Sequence, residues 1–131
     1  MTNLEASAAY YLNRIEKDES AFFSLIEAPA AIVPLLESVF RSEFDTGRRS
    51  AILKVIWQRR DRSAMPLLAD ALQDSSPRVW KEALEGLVAL GGQESMLSIQ
   101  AAQGRAFASM VDGREFREYL DEALEQLALR S

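Results

Sequence analysis

A chain of 131 residues has the length of one domain, and 48% hydrophobic with 27% charged residues is a globular balance rather than a disordered one. It contains no cysteine and no histidine, which excludes disulfides, thiolate nucleophiles, zinc–thiolate sites and any Ser-His-Asp triad. The 15 basic and 20 acidic residues leave a net charge of −5, a poor basis for wrapping a phosphate backbone, whose affinity comes mainly from Lys and Arg. No apolar run reaches the length that spans a bilayer, and Met1-Thr2-Asn3-Leu4-Glu5 lacks the basic and apolar regions of a signal peptide. These features predict a cytoplasmic protein without cofactor or metal.

The first predicted helix runs from Asn3 to Lys17, with Leu4, Ala8, Tyr11, Leu12 and Ile15 on one face. Asp18 to Ser20 offers a turn and an N-cap for a short helix containing Phe22, Phe23, Leu25 and Ile26, which Pro29 ends. A helix over 30–43 follows, with Pro34 tolerable in its first turn. After the turn Asp45-Thr46-Gly47, a helix over 48–60 presents Ala51, Ile52, Val55 and Ile56 as its inner stripe. Ser63 is placed to cap a helix over 64–73. The turn Asp74-Ser75-Ser76-Pro77 puts Pro at the first position of a helix over 77–90, which Gly91-Gly92 terminates. Its stripe is Val79, Trp80, Ala83, Leu84, Leu87 and Leu90. A further unit starts at Glu94, with Met96, Leu97 and Ile99 in the positions of Met65 to Leu68. Residues 104–113 are irregular, and a last helix over 114–129 presents Phe116, Tyr119, Leu120, Ala123, Leu124 and Leu127.

Two of these helix pairs repeat each other. Val33-Pro34-Leu35-Leu36 becomes Met65-Pro66-Leu67-Leu68, Ala51-Ile52 becomes Ala83-Leu84, and the spacing from Pro34 to Pro66 equals that from Ala51 to Ala83. A fixed offset of this size marks stacked two-helix units. The stretch from Asp74 through Pro77-Arg78-Val79 and Ala83 to Leu90-Gly91 resembles the second half of a HEAT-type repeat. It is closest to the short bacterial variety also found in phycobilisome-lyase-related proteins. The resemblance is specific over 66–92, looser over 33–62, and Trp80 stands where that family usually has Arg. It implies an all-α, right-handed superhelix, a solenoid of about three HEAT-like helix pairs over 29–61, 62–92 and 93–129. Residues 1–28 would be N-terminal capping helices of this single domain. It also implies a non-catalytic scaffold whose second helices line a concave surface.

On that geometry the positions opposite the core stripe are the candidate partner-binding residues. They are Lys81 and Glu85 in the middle unit, Arg49, Leu53 and Trp57 in the first, and Asp121 and Glu125 in the last, with Arg60 extending the basic end. The expectation is an apolar Leu53/Trp57 ridge flanked by Arg49 and Arg60, which would steer a partner protein with an acidic surface. The chain would be a monomer or a weak homodimer. Six basic residues between Arg48 and Arg62 suggest a nucleic-acid alternative, disfavoured by Glu43, Asp45 and Asp61 beside them. An inhibitor or immunity-type protein and a bilin-lyase-type accessory protein are further alternatives. Glu115, Glu118, Glu122 and Glu125 read as a solvated helix face.

Overall fold

The computed structural model describes residues 2–130, which form eight α-helices and a short 3-10 turn and contain no strand. The all-α class expected from the sequence is observed. The helices are α1 (Asn3–Leu12), α2 (Glu19–Glu27), α3 (Ile32–Ser42), α4 (Thr46–Gln58), α5 (Met65–Ala71), α6 (Pro77–Leu90), α7 (Gly92–Ala102) and α8 (Met110–Arg130). They divide between two compact units, Met1–Asp61 and Arg62–Ser131.

In the first unit α1 pairs with α2 and α3 with α4, while α1 packs on α3 and α2 on α4. The second unit repeats the scheme, with α5 paired to α6, α7 to α8, α5 on α7 and α6 on α8. Within each unit, first helices therefore stack on first helices and second on second. That is how two-helix repeats bury faces which neither pair could bury alone. Residues 2–28 take part in this scheme as a helix pair of their own, α1 with α2.

Local chemistry explains the boundaries. Thr2 Oγ1 accepts from the Glu5 backbone N–H at 3.1 Å and Glu5 returns the bond to the Thr2 N–H at 3.4 Å, a reciprocal cap that starts α1. The helix ends at Leu12 rather than at Lys17, and Ile15 reaches the core from the turn that follows. Asp18 caps α2 by accepting from the Ser20 N–H at 2.9 Å and the Ser20 hydroxyl at 2.8 Å. The hydroxyl bond, then the backbone bond, hold the Asp18 carboxyl below its ordinary value of 3.8. A depressed carboxyl stabilises the fold above that ordinary value and loses its contribution as pH falls through the lower folded value. The exchange rate of the Ser20 amide relative to its intrinsic rate at each pH is therefore expected to rise below pH 3.8, ahead of global unfolding, and Asp18→Asn is expected to remove that dependence.

Pro34 lies in the first turn of α3, where its missing N–H has no intrahelical acceptor to lose. The expected turn at Asp45-Thr46-Gly47 is shorter than its sequence suggests. Asp45 Oδ2 accepts from the Arg48 N–H at 2.8 Å, so α4 begins at Thr46 and takes in Gly47. Ser63 does not cap α5. It sits in the 3-10 turn Arg62–Ala64, and Ala64 occupies the cap position without a side-chain bond.

Of the predicted α6 stripe, Val79, Trp80, Ala83, Leu84 and Leu87 are buried, while Leu90 at the end of the helix is only half-buried. Gly91 and Gly92 have φ of 67° and 85°, the region that favours glycine, and end α6 while starting α7 directly. Ile99 is buried but Leu97 is 55% exposed, so the apolar face of α7 is narrower than expected. The irregular segment ends earlier than predicted, because α8 begins at Met110. Phe116, wholly buried, is the centre of an aromatic cluster: Trp80 meets it edge-on with centroids 4.9 Å apart, and Phe107 lies 5.0 Å away.

Candidate functional site

The expected apolar ridge is not a surface. Leu53 is 0% and Trp57 6% exposed, so neither is available to a partner. The reason lies in α4 as a whole. Gly47, Ser50, Ile52, Leu53, Val55, Ile56 and Trp57 are all buried, and Lys54 is one of its few exposed residues. A helix apolar around most of its circumference is surrounded, and α4 packs on both α2 and α3. The placement of Leu53 and Trp57 opposite the core stripe assumed that only one side of α4 is covered.

The arginines around that ridge are also committed. Arg49 is half-buried, donates through Nε to the Phe40 carbonyl at 3.3 Å, and lies over the Phe40 ring at 4.4 Å. Arg48 donates to the Leu12 carbonyl at 3.3 Å and to Glu43 Oε1 at 2.7 Å. Arg59 Nη1 donates to the carbonyls of Leu25 and Ile26 at 3.0 and 2.7 Å. Arg62 forks across the carbonyls of Leu90 and Gly91, both at 2.9 Å. Outside this segment, Arg105 donates to the Leu72 carbonyl at 2.7 Å and Arg130 to that of Val88. The accepting carbonyls lie at the C-terminal ends of α1, α2, α3, α5 and α6.

Physics makes this pairing sensible. The last four carbonyls of a helix have no intrahelical donor and carry the negative end of its dipole. A guanidinium supplies five donors and a permanent positive charge. The 48–62 segment thus commits Arg48, Arg49, Arg59 and Arg62 to main-chain carbonyls. Sequence reasoning missed this role.

Arg60 is exposed and has φ of 60°, following the C-cap Arg59. One repeat later the corresponding residue is Gly92, also at positive φ. The left-handed region costs a side-chain-bearing residue roughly 1 kcal/mol. The Arg60 guanidinium, 5.4 Å from the Trp57 ring, offsets part of that strain. Arg60→Gly is therefore expected to change stability by less than about 0.5 kcal/mol in urea unfolding, where most exposed substitutions fall. Arg60→Val, β-branched at positive φ, is expected to cost about 1–2 kcal/mol.

In the second unit, Lys81 on α6 pairs with Glu115 on α8 at 2.9 Å. Its ammonium lies 4.6 Å from the Tyr119 ring centre and 5.6 Å from that of Trp80. The hydrogen bond to Glu115 holds the Lys81 ammonium above its ordinary value. Asp121 accepts from Gln103 Nε2 at 2.8 Å, tying the start of the irregular segment to α8. Glu85 and Glu125 are exposed. The structure thus joins Lys81 to Glu115 and Tyr119, partners outside the expected set. Arg105 stacks 4.5 Å from Phe107 and 5.1 Å from Phe116, and burial pushes its guanidinium below the usual arginine value.

The outward apolar side chains include aromatics as well as Leu97, Met110, Val111 and Leu129. Tyr10 is 55%, Phe23 49% and Tyr119 40% exposed, and Phe44 stands at 95%. Tyr10 carries Arg14 over its ring at 3.7 Å, and Arg14 donates back to the Tyr10 carbonyl at 2.7 Å. Among the described residues no group of three or more His, Cys, Asp or Glu side chains is arranged to hold a metal ion. No described helix is long and apolar enough to cross a membrane.

No curated protein and no solved structure matches the chain. The family model of HEAT repeats matches residues 32–103, more than half of the sequence, from the start of α3 to the end of α7. HEAT repeats are commonly protein-interaction modules, and the family is generally a non-catalytic scaffold. The matched span contains both turns of the 32-residue repeat read from the sequence, and the chain belongs to the HEAT repeat family.

Proposed function

We propose that this chain is a non-catalytic module that binds a partner protein through exposed aromatic side chains held in place by neighbouring cations. The observation that carries the reading is the pair of fixed rings: Tyr10 under Arg14 at 3.7 Å, and Tyr119 under Lys81 at 4.6 Å. Tyrosine and arginine are the residue types over-represented among the side chains that dominate protein interfaces. A ring already held in one orientation loses less freedom on binding, so more of its contact energy appears as affinity. The arginine commitments support a protein partner over nucleic acid, because Arg48, Arg49, Arg59 and Arg62 donate to main-chain carbonyls.

The test is quantitative capture from nuclease-treated lysate at moderate salt, with wild type beside the Tyr10→Ser/Tyr119→Ser double variant. A protein retained by wild type and lost from the folded variant is the expected result. Equal retention by both, or retention of nucleic acid alone before nuclease treatment, contradicts the reading.

A further inference from the structure

A cavity of about 300 Å³ opens in the second unit, lined by Pro77 and Trp80 of α6, Arg105 and Phe107 of the α7–α8 connection, and Asp112 and Glu115 of α8. The connection that walls it is held on several sides. Arg105 Nη1 donates to the Leu72 carbonyl at 2.7 Å, Arg117 Nη2 to the Arg105 carbonyl at 3.1 Å, and Gln103 Nε2 to Asp121 at 2.8 Å. Gly113 lets the connection close down on α8: a Cβ there would lie 3.5 Å from Phe107 and 2.8 Å from Arg117 Nη1. The cavity is therefore formed before anything enters it, which limits the ordering cost of binding.

The charge inside it is unbalanced. The Arg105 guanidinium is committed to the Leu72 carbonyl and stacks 4.5 Å from Phe107. Glu115 is paired with Lys81 at 2.9 Å. Among the described residues, the Asp112 carboxylate has neither a hydrogen-bond donor nor a cation. Arg114, next to Glu115 in the chain, does not line the cavity, as neighbours along a helix point in different directions. The same imbalance extends along the unit. Residues 62–131 hold 11 Asp and Glu against 7 Lys and Arg. Of those cations, Arg62, Arg105, Arg117 and Arg130 donate to main-chain carbonyls and Lys81 pairs with Glu115. Glu118, Glu122 and Glu125 meanwhile are exposed along α8. The outward charge of this unit is mainly carboxylate.

We propose that the cavity receives an arginine side chain of the partner protein, its guanidinium on the Asp112 carboxylate beside the Trp80 and Phe107 rings. The proposal rests on the protein-binding reading above and adds the chemistry of one contact. An anion would meet two carboxylates, and an apolar group would bury Asp112 unpaired at a desolvation cost. A cation suits both the carboxylate and the ring faces, as Lys81 already does 4.6 Å from Tyr119. A guanidinium suits them better than an ammonium, because it is planar, weakly hydrated and able to bond a carboxylate through two donors.

The experiment titrates the intact nitrogen-15-labelled chain with the peptide acetyl-Gly-Gly-Arg-Gly-Gly-amide, beside its lysine and citrulline counterparts. The titration runs to about 10 mM, well above the roughly 1 mM dissociation constant expected of one anchored side chain. The expected result is saturable shifts of the Trp80 indole and of the Phe107 and Asp112 amides, with the Trp57 indole of the first unit unmoved. The arginine peptide should bind about tenfold more tightly than the citrulline peptide, the factor that one charge-assisted hydrogen bond supplies. Asp112→Asn, at an exposed position, should weaken it by a similar factor with the unfolding midpoint unchanged. Ala108→Trp, which fills the cavity from another exposed lining position, should abolish it. Absence of saturable shifts, equal binding of the citrulline peptide, tighter binding of the lysine peptide, or unchanged affinity in Asp112→Asn overturns the proposal. So do shifts confined to Glu118, Glu122 and Glu125. Each of these outcomes leaves the protein-binding reading standing, since the capture with Tyr10→Ser/Tyr119→Ser decides that reading by itself.

Discussion

Replacing Arg59 by alanine is expected to lower the unfolding free energy by about 2–3 kcal/mol, because a charge-assisted hydrogen bond is worth about 1.5–3 kcal/mol and a buried carbonyl without a donor adds its desolvation cost. Arg59 reaches from the end of α4 to α2, where its Nη1 meets the carbonyls of Leu25 and Ile26. Leu25 is 0% exposed, and α2 ends in an extended Ala28. Without the guanidinium, the buried Leu25 carbonyl loses a donor that water cannot readily replace, while the half-buried Ile26 is nearer solvent. Arg59→Lys is expected to recover part of the loss, since an ammonium can donate to two carbonyls as Nη1 does but sits on a shorter side chain. Lys54→Ala, on the exposed side of the same helix, is expected to stay within about 0.5 kcal/mol. Urea unfolding of the three variants with an unchanged slope checks the series.

Phe116→Ala is expected to cost about 3–5 kcal/mol, the range for removing a fully buried aromatic ring from a packed core. Three groups lean on this ring: Trp80 at 4.9 Å, Phe107 at 5.0 Å and the Arg105 guanidinium at 5.1 Å. Its loss leaves a cavity under Trp80 and takes one stacking surface from the cation that caps α5. Phe116→Leu keeps most of the volume and is expected to cost about 1–2 kcal/mol, as shape changes at near-constant volume do. Near-ultraviolet dichroism of Trp80 should weaken in step with the unfolding midpoint. A midpoint unchanged by Phe116→Ala would mean that the cluster is not the centre of the second unit.

The stability series and the sequence reading meet at α4 and α6. In α6 the polar residues cluster on one side, so the angular pattern alone found Val79, Trp80, Ala83, Leu84 and Leu87. In α4 the apolar residues run almost all the way round. A pattern search that assigns one stripe to the core must then assign the others to solvent, and Leu53 and Trp57 went to the wrong side. Long-range capping was illegible for a different reason. Arg59 and Leu25 are 34 residues apart in the chain, and no periodicity connects a cation to a carbonyl that distant. The repeat offset, by contrast, is a property of the chain itself, and Pro34 and Pro66 both fell in first turns as that offset required.

Arg48, Arg59, Arg62 and Arg105 face main-chain carbonyls. Nitrogen-15 spectra of the guanidinium groups test this directly, because a group bonded to fixed carbonyls rotates slowly about its Nε–Cζ bond and resolves its two Nη signals. Arg48, Arg59, Arg62 and Arg105 are expected to show resolved, slowly exchanging Nη signals, while the exposed Arg41 shows one averaged signal. Averaged signals from all five would contradict the inward assignment and return the 48–62 segment to the surface as a free basic cluster.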